Sequence, residues 1–188
     1  LFLNDDTEVL QEDWLQRLGG YAQQKHVGAV GAKLVYADGH TIQHTGVLNL
    51  QTGPVHAYIG HDKNNPGYFL RNQIEYNWLA VTGACLMIDR QKYESINGFD
   101  ESFPIAYNDV DICMRLVEKG YYNVMCQAVT LIHHESVSRG LDHMDEVKVK
   151  RLQNELGRLN SKHPQYYQHD PFYNVNFAFN GHNFEIMK

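Results

Sequence analysis

Residues 99–115, with the sequence FDESFPIAYNDVDICMR, determine how the rest of the chain is interpreted. Pro104 and the residues before it predict an irregular turn, and the apolar residues further on fall on one broad helical face. Asn108 and Asp109 are residue types favoured at helix N-caps, and Asp111 falls in the predicted first turn. The partial positive charge of a helix N-terminus keeps a nearby carboxylate ionised. The stretch therefore predicts either a plain acidic helix cap or a general base presented on a rigid helix start.

The composition is that of an ordinary globular domain. The chain has 188 residues, of which 43% are hydrophobic, and a formal net charge of −6. The absence of Lys or Arg runs argues against nucleic acid or an anionic membrane as the main partner, and no apolar stretch has the length of a membrane span. The spacing of Cys85, Cys113 and Cys126 fits no zinc motif, so we expect buried, reduced thiols in a cytoplasmic protein.

The beginning of the chain carries a cluster of polar side chains. Leu1–Leu3 opens without an initiator Met, so we interpret the chain as a fragment that starts inside a larger domain. We expect Leu1–Leu3 to be a short buried strand, followed by Asn4–Asp5–Asp6 where open α/β sheets bind ligands. Neighbouring carboxylates repel unless a cation lies between them, and hard oxygen ligands suit Mg²⁺ or Mn²⁺. The alternative is a polar turn in which Asp6 or Thr7 caps the next helix.

The remaining segments predict alternating helices and strands. In the first part of the chain we expect a helix over 12–24, a hairpin of strands over 27–36 and 41–50, and a long loop over 51–71. A strand ending at 88, a short helix over 90–96 and the acidic helix ending at 120 should follow. The last predicted elements are two short strands over 122–126 and 129–134 and an amphipathic helix over 142–161. The long loop has the composition of a lid or a binding loop.

The entry to the strand that ends at residue 88 is a candidate for ligand contact. Thr82–Gly83–Ala84 has no bulky side chain, so its backbone can approach a ligand or another segment closely. Trp78 could stack on the face of a sugar, although a large aromatic residue is more often part of the core.

A pair of histidines ends the second of the two short strands. His133 or His134 could supply a metal ligand at that strand end. The alternative is a surface histidine pair beside Arg139 in a solvated turn.

Four segments taken in order, LFLNDDTEV, VTGACLMI, INGFDESFPIAYNDVDICMRLVEKGY and VTLIHHESVSRG, resemble the inverting family 2 glycosyltransferases with the GT-A fold. The resemblance runs from Leu1 to about Arg139 and continues loosely through DPFYNVNF, which is similar to the tail of bacterial O-antigen and rhamnan-type transferases. It implies an α/β fold with a GT-A-type, Rossmann-like mixed sheet flanked by helices. Residues 1–140 would be the C-terminal part of the catalytic domain, and 141–188 a helix and an aromatic, Asn-rich tail packed on it.

Residue by residue, the resemblance implies a site for the donor and a metal. Asn4–Asp5–Asp6 falls on the family's D-x-D site, where Asp6 would hold the metal bound to the donor diphosphate. The first position of that site is Asn here, which leaves one carboxylate fewer. His133 falls on the late metal ligand, with His134 as the alternate, and Arg139 falls in the loop that can contact the donor phosphates. The implied cofactor is Mn²⁺ or Mg²⁺.

The resemblance also implies a mechanism. Asp109 falls on the catalytic base, and Asn108 stands where the family commonly has Glu. Asp109 would take the proton from an acceptor hydroxyl during in-line attack on a nucleoside-diphosphate hexose or deoxyhexose, while the metal and Arg139 would stabilise the leaving diphosphate. Thr82–Gly83–Ala84 and Trp78 lie near where a glycan or lipid-linked acceptor is expected.

Other function classes stay open at this point. A nucleotidyltransferase also uses an acidic metal site on an open α/β sheet. A non-catalytic carbohydrate-binding module derived from the same fold is favoured by Asn4 and Asn108, each of which stands where an acid is common. Because the strand that binds the nucleotide would precede Leu1, we expect the fragment alone to be weakly active or inactive. We expect any contact with the inner face of a membrane to depend on the acceptor or the parent protein.

Overall fold

A computed structural model describes residues 1–134, 146–179 and 183–187 of the chain. Within these residues the strands are β1 (Phe2–Leu3), β2 (Thr7–Val9), β3 (Val27–Val35), β4 (Ile42–His44), β5 (Val47–Leu50), β6 (Gly53–His56), β7 (Tyr76–Trp78), β8 (Cys85–Ile88) and β9 (Tyr122–His133). The α-helices are α1 (Trp14–Ala22), α2 (Arg90–Ser95), α3 (Asn108–Glu118) and α4 (Glu146–Lys162). The α/β class predicted from the sequence is therefore confirmed.

One mixed sheet of seven strands forms the centre of the fold. Its strand order is β1-β8-β3-β9-β2, with β4 paired to β3 and β7 paired to β9. Strands β3 and β9 are parallel, whereas β1, β2, β4, β7 and β8 all pair antiparallel to their neighbours. The β5–β6 hairpin forms a separate two-stranded sheet. Because β2 lies antiparallel beside β9, the turn at the start of the chain is brought to the carboxyl end of β9.

Strand β3 is central because its sequence, VGAVGAKLV, combines apolar and small residues. Every residue of the strand is buried, as expected for a strand covered on both faces. Gly31 permits a close approach, since a Cβ atom there would lie 2.7 Å from the Cβ of Val81.

Two apolar clusters cover the sheet. One contains Leu18 and Ala22 of α1 with residues of β3 and β9. The other contains Ile112 and Leu116 of α3 together with aromatic residues of the C-terminal tail. The predicted arrangement of a mixed sheet flanked by helices is thus confirmed, and the three cysteines are free and buried, as predicted.

Several predicted boundaries were wrong. Leu1 and Leu3 are 49% and 41% exposed, so β1 is an exposed edge strand, and the polar turn after it leads into β2 instead of capping a helix. The predicted loop over 51–71 contains β6 and a 3₁₀ turn at Tyr68–Leu70. The two short strands over 122–134 are one strand whose residues 127–129 do not pair with β3. Residues 142–145 of the last predicted helix lie outside the described residues.

The predicted strand over 41–50 is divided for a steric reason. Gly46 has a φ of +129°, and a Cβ atom there would lie 2.2 Å from Cδ2 of Trp78. The backbone therefore turns at this glycine and separates β4 from β5. None of the helices in the described ranges is long and apolar enough to cross a bilayer.

Candidate functional site

The turn between β1 and β2 is joined to two other parts of the sheet. The backbone N–H of Asn4 donates to the carbonyl oxygen of Ala84 over 3.0 Å, and Thr7 pairs with His133 across the β2–β9 ladder. Asn4–Asp5–Asp6, the Thr82–Ala84 segment and the end of β9 therefore meet at one place. The sequence separates these segments by roughly 80 and 50 residues, and the sheet order brings them together.

His133 is the polar centre of this meeting point. Its Nε2 lies 3.1 Å from Oδ1 of Asp6 and 3.2 Å from Nδ2 of Asn4. Its Nδ1 lies 2.6 Å from Oε1 of Gln43, whose Nε2 faces the backbone oxygen of His133 at 3.5 Å. In this orientation the amide oxygen of Gln43 accepts from Nδ1–H. A neutral His133 with its proton on Nδ1 would direct the Nε2 lone pair at Asp6 and the Asn4 amide, whereas a protonated His133 would form an ion pair with Asp6.

The Asp6 carboxylate has an unsatisfied oxygen. Its Oδ1 is buried and has no hydrogen-bond partner in the described structure. When His133 is neutral with its proton on Nδ1, its Nε2 lone pair and this oxygen repel each other, and a shared cation would relieve that repulsion. Asp6 and His133 are thus the side chains that could hold a metal ion.

This pair does not form a complete metal cage. Among the described residues, no group of three or more His, Cys, Asp or Glu side chains is arranged to bind a metal. A small protein ligand set is nevertheless the usual one for Mg²⁺, which is commonly bound through one or two carboxylates together with substrate phosphates.

The other members of the predicted donor site lie elsewhere. Asp5 is exposed in the turn. The ring of His134 lies 3.5 Å from Oε2 of Glu8, and both side chains are exposed. Only the backbone N–H of His134 contacts Asp6, at its carbonyl oxygen. The structure therefore brings His133, and not the alternate His134, to Asp6. Arg139 lies outside the described residues.

Asp109 stands in the first turn of α3 and contacts the Thr82–Ala84 segment. Its Oδ2 accepts from the N–H of Gly83 over 2.8 Å, and its Oδ1 accepts from the N–H of Val110 over 2.8 Å. The N-cap is Tyr107, which has a φ of +61° and makes no side-chain cap. The expectation that Asn108 or Asp109 caps this helix is therefore wrong, and the carboxylate of Asp109 is oriented by the neighbouring loop.

The Thr82–Ala84 segment connects the two halves of the site. The carbonyl oxygen of Ala84 accepts a hydrogen bond from the N–H of Asn4, and the N–H of Gly83 donates one to Asp109. At its other end, the N–H of Thr82 donates to Nε2 of His44 over 3.2 Å. Burial, together with the nearby His56 and His133, holds the pKa of His44 well below its usual value. His44 is accordingly a neutral acceptor that fixes this segment.

Trp78 is not part of this surface. It is 0% exposed and packs against Gly46 and the ring of Phe184. The sugar-stacking role predicted for Trp78 is corrected by this placement, because neither face of a fully buried indole is open to a ligand. The indole belongs to the core, which was the alternative that the sequence left open.

A buried ionic cluster anchors the helix that carries Asp109. Asp111 is fully buried and is paired with Arg115, at 2.8 Å, and with Lys162 at 2.6 Å. Nε2 of His163 lies 2.9 Å from Oδ1 of Asp111. Since Lys162 is the last residue of α4 and His163 follows it, the cluster fixes α3 against the C-terminal part of the chain.

Gln43 and His44 contact the site and were missed by the sequence analysis. Both fall in the segment TIQHTGVLNL, which was predicted as a strand and in which Gln43, His44 and Thr45 are consecutive polar residues. No signal in that pattern distinguishes polar side chains that face solvent from these two, which are buried.

Comparisons with known proteins relate the chain to much longer ones. No family model matches it. It is 38% identical over 187 residues to the uncharacterized protein y4gI of Sinorhizobium fredii, covering 98% of this chain and 20% of that protein. It is 40% identical over 159 residues to the O-antigen biosynthesis protein RfbC of Myxococcus xanthus, covering 78% of this chain and 12% of the relative.

A shorter match involves an enzyme named for its reaction. Over 65 residues, 35% of this chain, the sequence is 34% identical to N-acetylglucosaminyl-diphospho-decaprenol L-rhamnosyltransferase of Mycobacterium tuberculosis. That match covers 20% of the relative. The chain thus spans a fifth or less of each of these three proteins.

Proposed function

We propose that the chain is part of a glycosyltransferase of polysaccharide biosynthesis, with a GT-A-type fold and an inverting mechanism. It would move a sugar from a nucleoside diphosphate to a hydroxyl of a glycan or lipid-linked acceptor. The names of the O-antigen biosynthesis and rhamnosyltransferase relatives support this class. The observation that carries the proposal is that the Thr82–Ala84 segment contacts Asp109 through Gly83 and, through Ala84, the turn in which Asp6 lies beside His133.

Asp6 and His133 are proposed to hold the metal together with the donor. The buried, unsatisfied oxygen of Asp6 and the imidazole lone pair beside it fit a hard divalent cation. When bound, Mn²⁺ or Mg²⁺ supplies positive charge at the leaving diphosphate. Gln43 keeps the His133 ring in the orientation and tautomer that present Nε2 to Asp6.

Asp109 is proposed to act as the general base. Each carboxylate oxygen accepts one backbone hydrogen bond, and each keeps a further lone pair. An acceptor hydroxyl that attacks the anomeric carbon must lose its proton as the new bond forms, and Asp109 would receive that proton at one carboxylate oxygen. The donors from Gly83 and Val110 hold the carboxylate in one orientation throughout.

A nucleotide titration tests this proposal. UDP, dTDP, GDP and CMP are titrated by calorimetry, with and without Mn²⁺, into the longest natural form of the protein that contains these residues. We expect one nucleotide to bind in a metal-dependent way. We expect His133→Ala to abolish that binding and His134→Ala, the matched control on the neighbouring residue, to leave it unchanged.

Two outcomes would overturn the proposal. Binding that is independent of Mn²⁺ and unaffected by His133→Ala would show that Asp6 and His133 do not form a metal site. Binding of a saccharide with no binding of any nucleotide would instead support a non-catalytic carbohydrate-binding module.

A further inference from the structure

Arg71 is a half-buried cation held among aromatic rings. Its guanidinium carbon lies 4.5 Å from the ring centre of Tyr76, 4.6 Å from that of Phe184 and 5.7 Å from that of Trp78. Its Nε and Nη1 atoms are buried and have no hydrogen-bond partner in the described part of the chain. Aromatic faces attract a cation but accept no strong hydrogen bond from it. Arg71 therefore carries unused donors and a charge without a counterion.

The nearest buried acid does not supply that counterion. Asp170 attracts Arg71 electrostatically, but no ion pair within 4 Å joins them in the described ranges. Both carboxylate oxygens of Asp170 are used elsewhere, by the N–H of Asn49 at 2.9 Å and the N–H of Phe172 at 2.8 Å. The guanidinium is thus left without the charge compensation that a partly desolvated cation requires.

Arg71 lines a cleft whose other walls suit a saccharide. The cleft has a volume of about 380 Å³, within the range of small-molecule sites. Its other described lining residues are aromatic, amide-bearing or proline: Tyr76, Asn77, Pro171, Phe172, Tyr173 and Asn174. Among these lining residues Arg71 carries the single formal charge. Aromatic rings can pack on the apolar faces of sugar rings, the amides can hydrogen-bond to hydroxyls, and the positive charge of a guanidinium favours a carboxylate.

We propose that this cleft binds a carboxylate-bearing sugar unit of an anionic glycan. The inference rests on the proposed function, because it assigns a chemical class to the glycan acceptor. Asn77, which lines the cleft, lies six residues before Gly83, which contacts Asp109.

Direct binding measurements test the cleft without nucleotide or metal. Oligogalacturonate and a neutral maltooligosaccharide of equal length are titrated into the protein, and inorganic phosphate is titrated separately. We expect the oligogalacturonate to bind at least about tenfold more tightly than the neutral sugar, and Arg71→Gln to remove that preference. Arg90→Gln, at an exposed arginine paired with Glu94 on the surface, is the matched control and should bind like the wild type.

A second variant keeps the test valid if Arg71→Gln does not fold. Asn77→Ala removes an exposed amide at the cleft wall and should weaken oligogalacturonate binding while thermal unfolding stays unchanged. Equal binding of charged and neutral sugars, or wild-type binding by the folded variants, would overturn the proposal. Phosphate that binds as tightly as the oligogalacturonate would also overturn it, because the cleft would then recognise a simple anion. Since no nucleotide is present, these results are independent of the Mn²⁺-dependent titration.

Discussion

The backbone N–H of Gly83 donates a 2.8 Å hydrogen bond to Oδ2 of Asp109. A Cβ atom on residue 83 would lie 3.3 Å from the Cβ of Asp109, which is a tight contact. The absence of a side chain at residue 83 therefore lets the loop make this hydrogen bond to the first turn of α3 without displacing Asp109. This contact sets the orientation of the proposed base.

Gly83→Ala should reduce sugar transfer with little loss of stability. The added methyl group displaces the Asp109 carboxylate by a few tenths of an ångström, and we expect a fall in kcat of about tenfold to a hundredfold. Gly20→Ala is the control, because a Cβ atom there meets nothing within 4 Å and should stabilise α1 by about 0.5–1 kcal/mol. Transfer kinetics and thermal unfolding check both variants, and an unchanged kcat in Gly83→Ala would contradict the positioning role of this contact.

Gln43→Leu should weaken metal binding. Loss of the amide that orients the His133 ring should reduce Mn²⁺ affinity by about 10–100-fold, as expected for an outer-shell partner of a metal ligand. Gln127→Leu removes another buried amide, which bonds to Thr45, and serves as the matched control. Calorimetric titration of Mn²⁺ with the bound nucleotide measures the difference. Equal losses in the two variants would mean that Gln43 acts only on general stability.

Asp111→Asn should destabilise the fold strongly. The change removes the charge shared with Arg115, Lys162 and His163 in a fully buried setting, which typically costs about 3–5 kcal/mol. Burial opposes ionisation of Asp111, but the hydrogen bonds from His163 and Lys162 and the charge of Arg115 outweigh it and lower its pKa.

The same carboxylate predicts a dependence on pH. Because the pKa of Asp111 is lower in the folded state than its ordinary value of 3.8, its contribution is present above about pH 4 and is lost as the pH falls through the folded value. Urea unfolding at a series of pH values should show the gap between wild type and Asp111→Asn narrowing in acid. A gap that stays constant down to pH 2 would contradict this account.

Asp170 should make the fold less stable as the pH rises, which is opposite to the effect of Asp111. Burial raises the pKa of Asp170 to about 6 from 3.8, so the folded state holds a proton that the unfolded state releases between these values. The free energy of unfolding contributed by this group falls as the pH rises from about 4 to 6, by roughly 2–3 kcal/mol. Asp170→Asn cannot titrate and should flatten that slope. Identical slopes in the two proteins, measured by urea unfolding, would argue against a buried, titrating Asp170.

The sequence predicted features that depend on local pattern. The run VGAVGAKLV is apolar or small at every position except Lys33, and β3 forms where that pattern predicts it. The contact between Gly83 and Asp109 has no local signature, because it joins a loop and a helix start through sheet topology. The left-handed backbone of Tyr107 could not be predicted from the sequence either. A bulky residue at positive φ contradicts the local preference, so the conformation is imposed by the surrounding structure.

Polar residues within strands show the same limit. Gln43 lies in a run of three polar residues that gives no sign of which side chain is buried, and the position of β4 beside β3 places it at His133. Trp78 shows the opposite case, because an indole can either stack on a sugar or pack in the hydrophobic core, and its residue type does not say which. The glycine at position 46 admits the indole into the core, and that contact decides between the two.

The most direct test of the account compares transfer and nucleotide binding in Asp109→Asn. The assay uses the longest natural form of the protein, the nucleoside-diphosphate sugar whose nucleotide binds in the titration, and a lipid-linked glycan extract as acceptor. The account predicts a loss of transfer of about 10²–10⁴-fold, while Mn²⁺-dependent nucleotide affinity stays within about twofold of the wild type. Transfer that persists in Asp109→Asn, or nucleotide binding that is lost with it, would contradict the assignment of Asp109 as the general base.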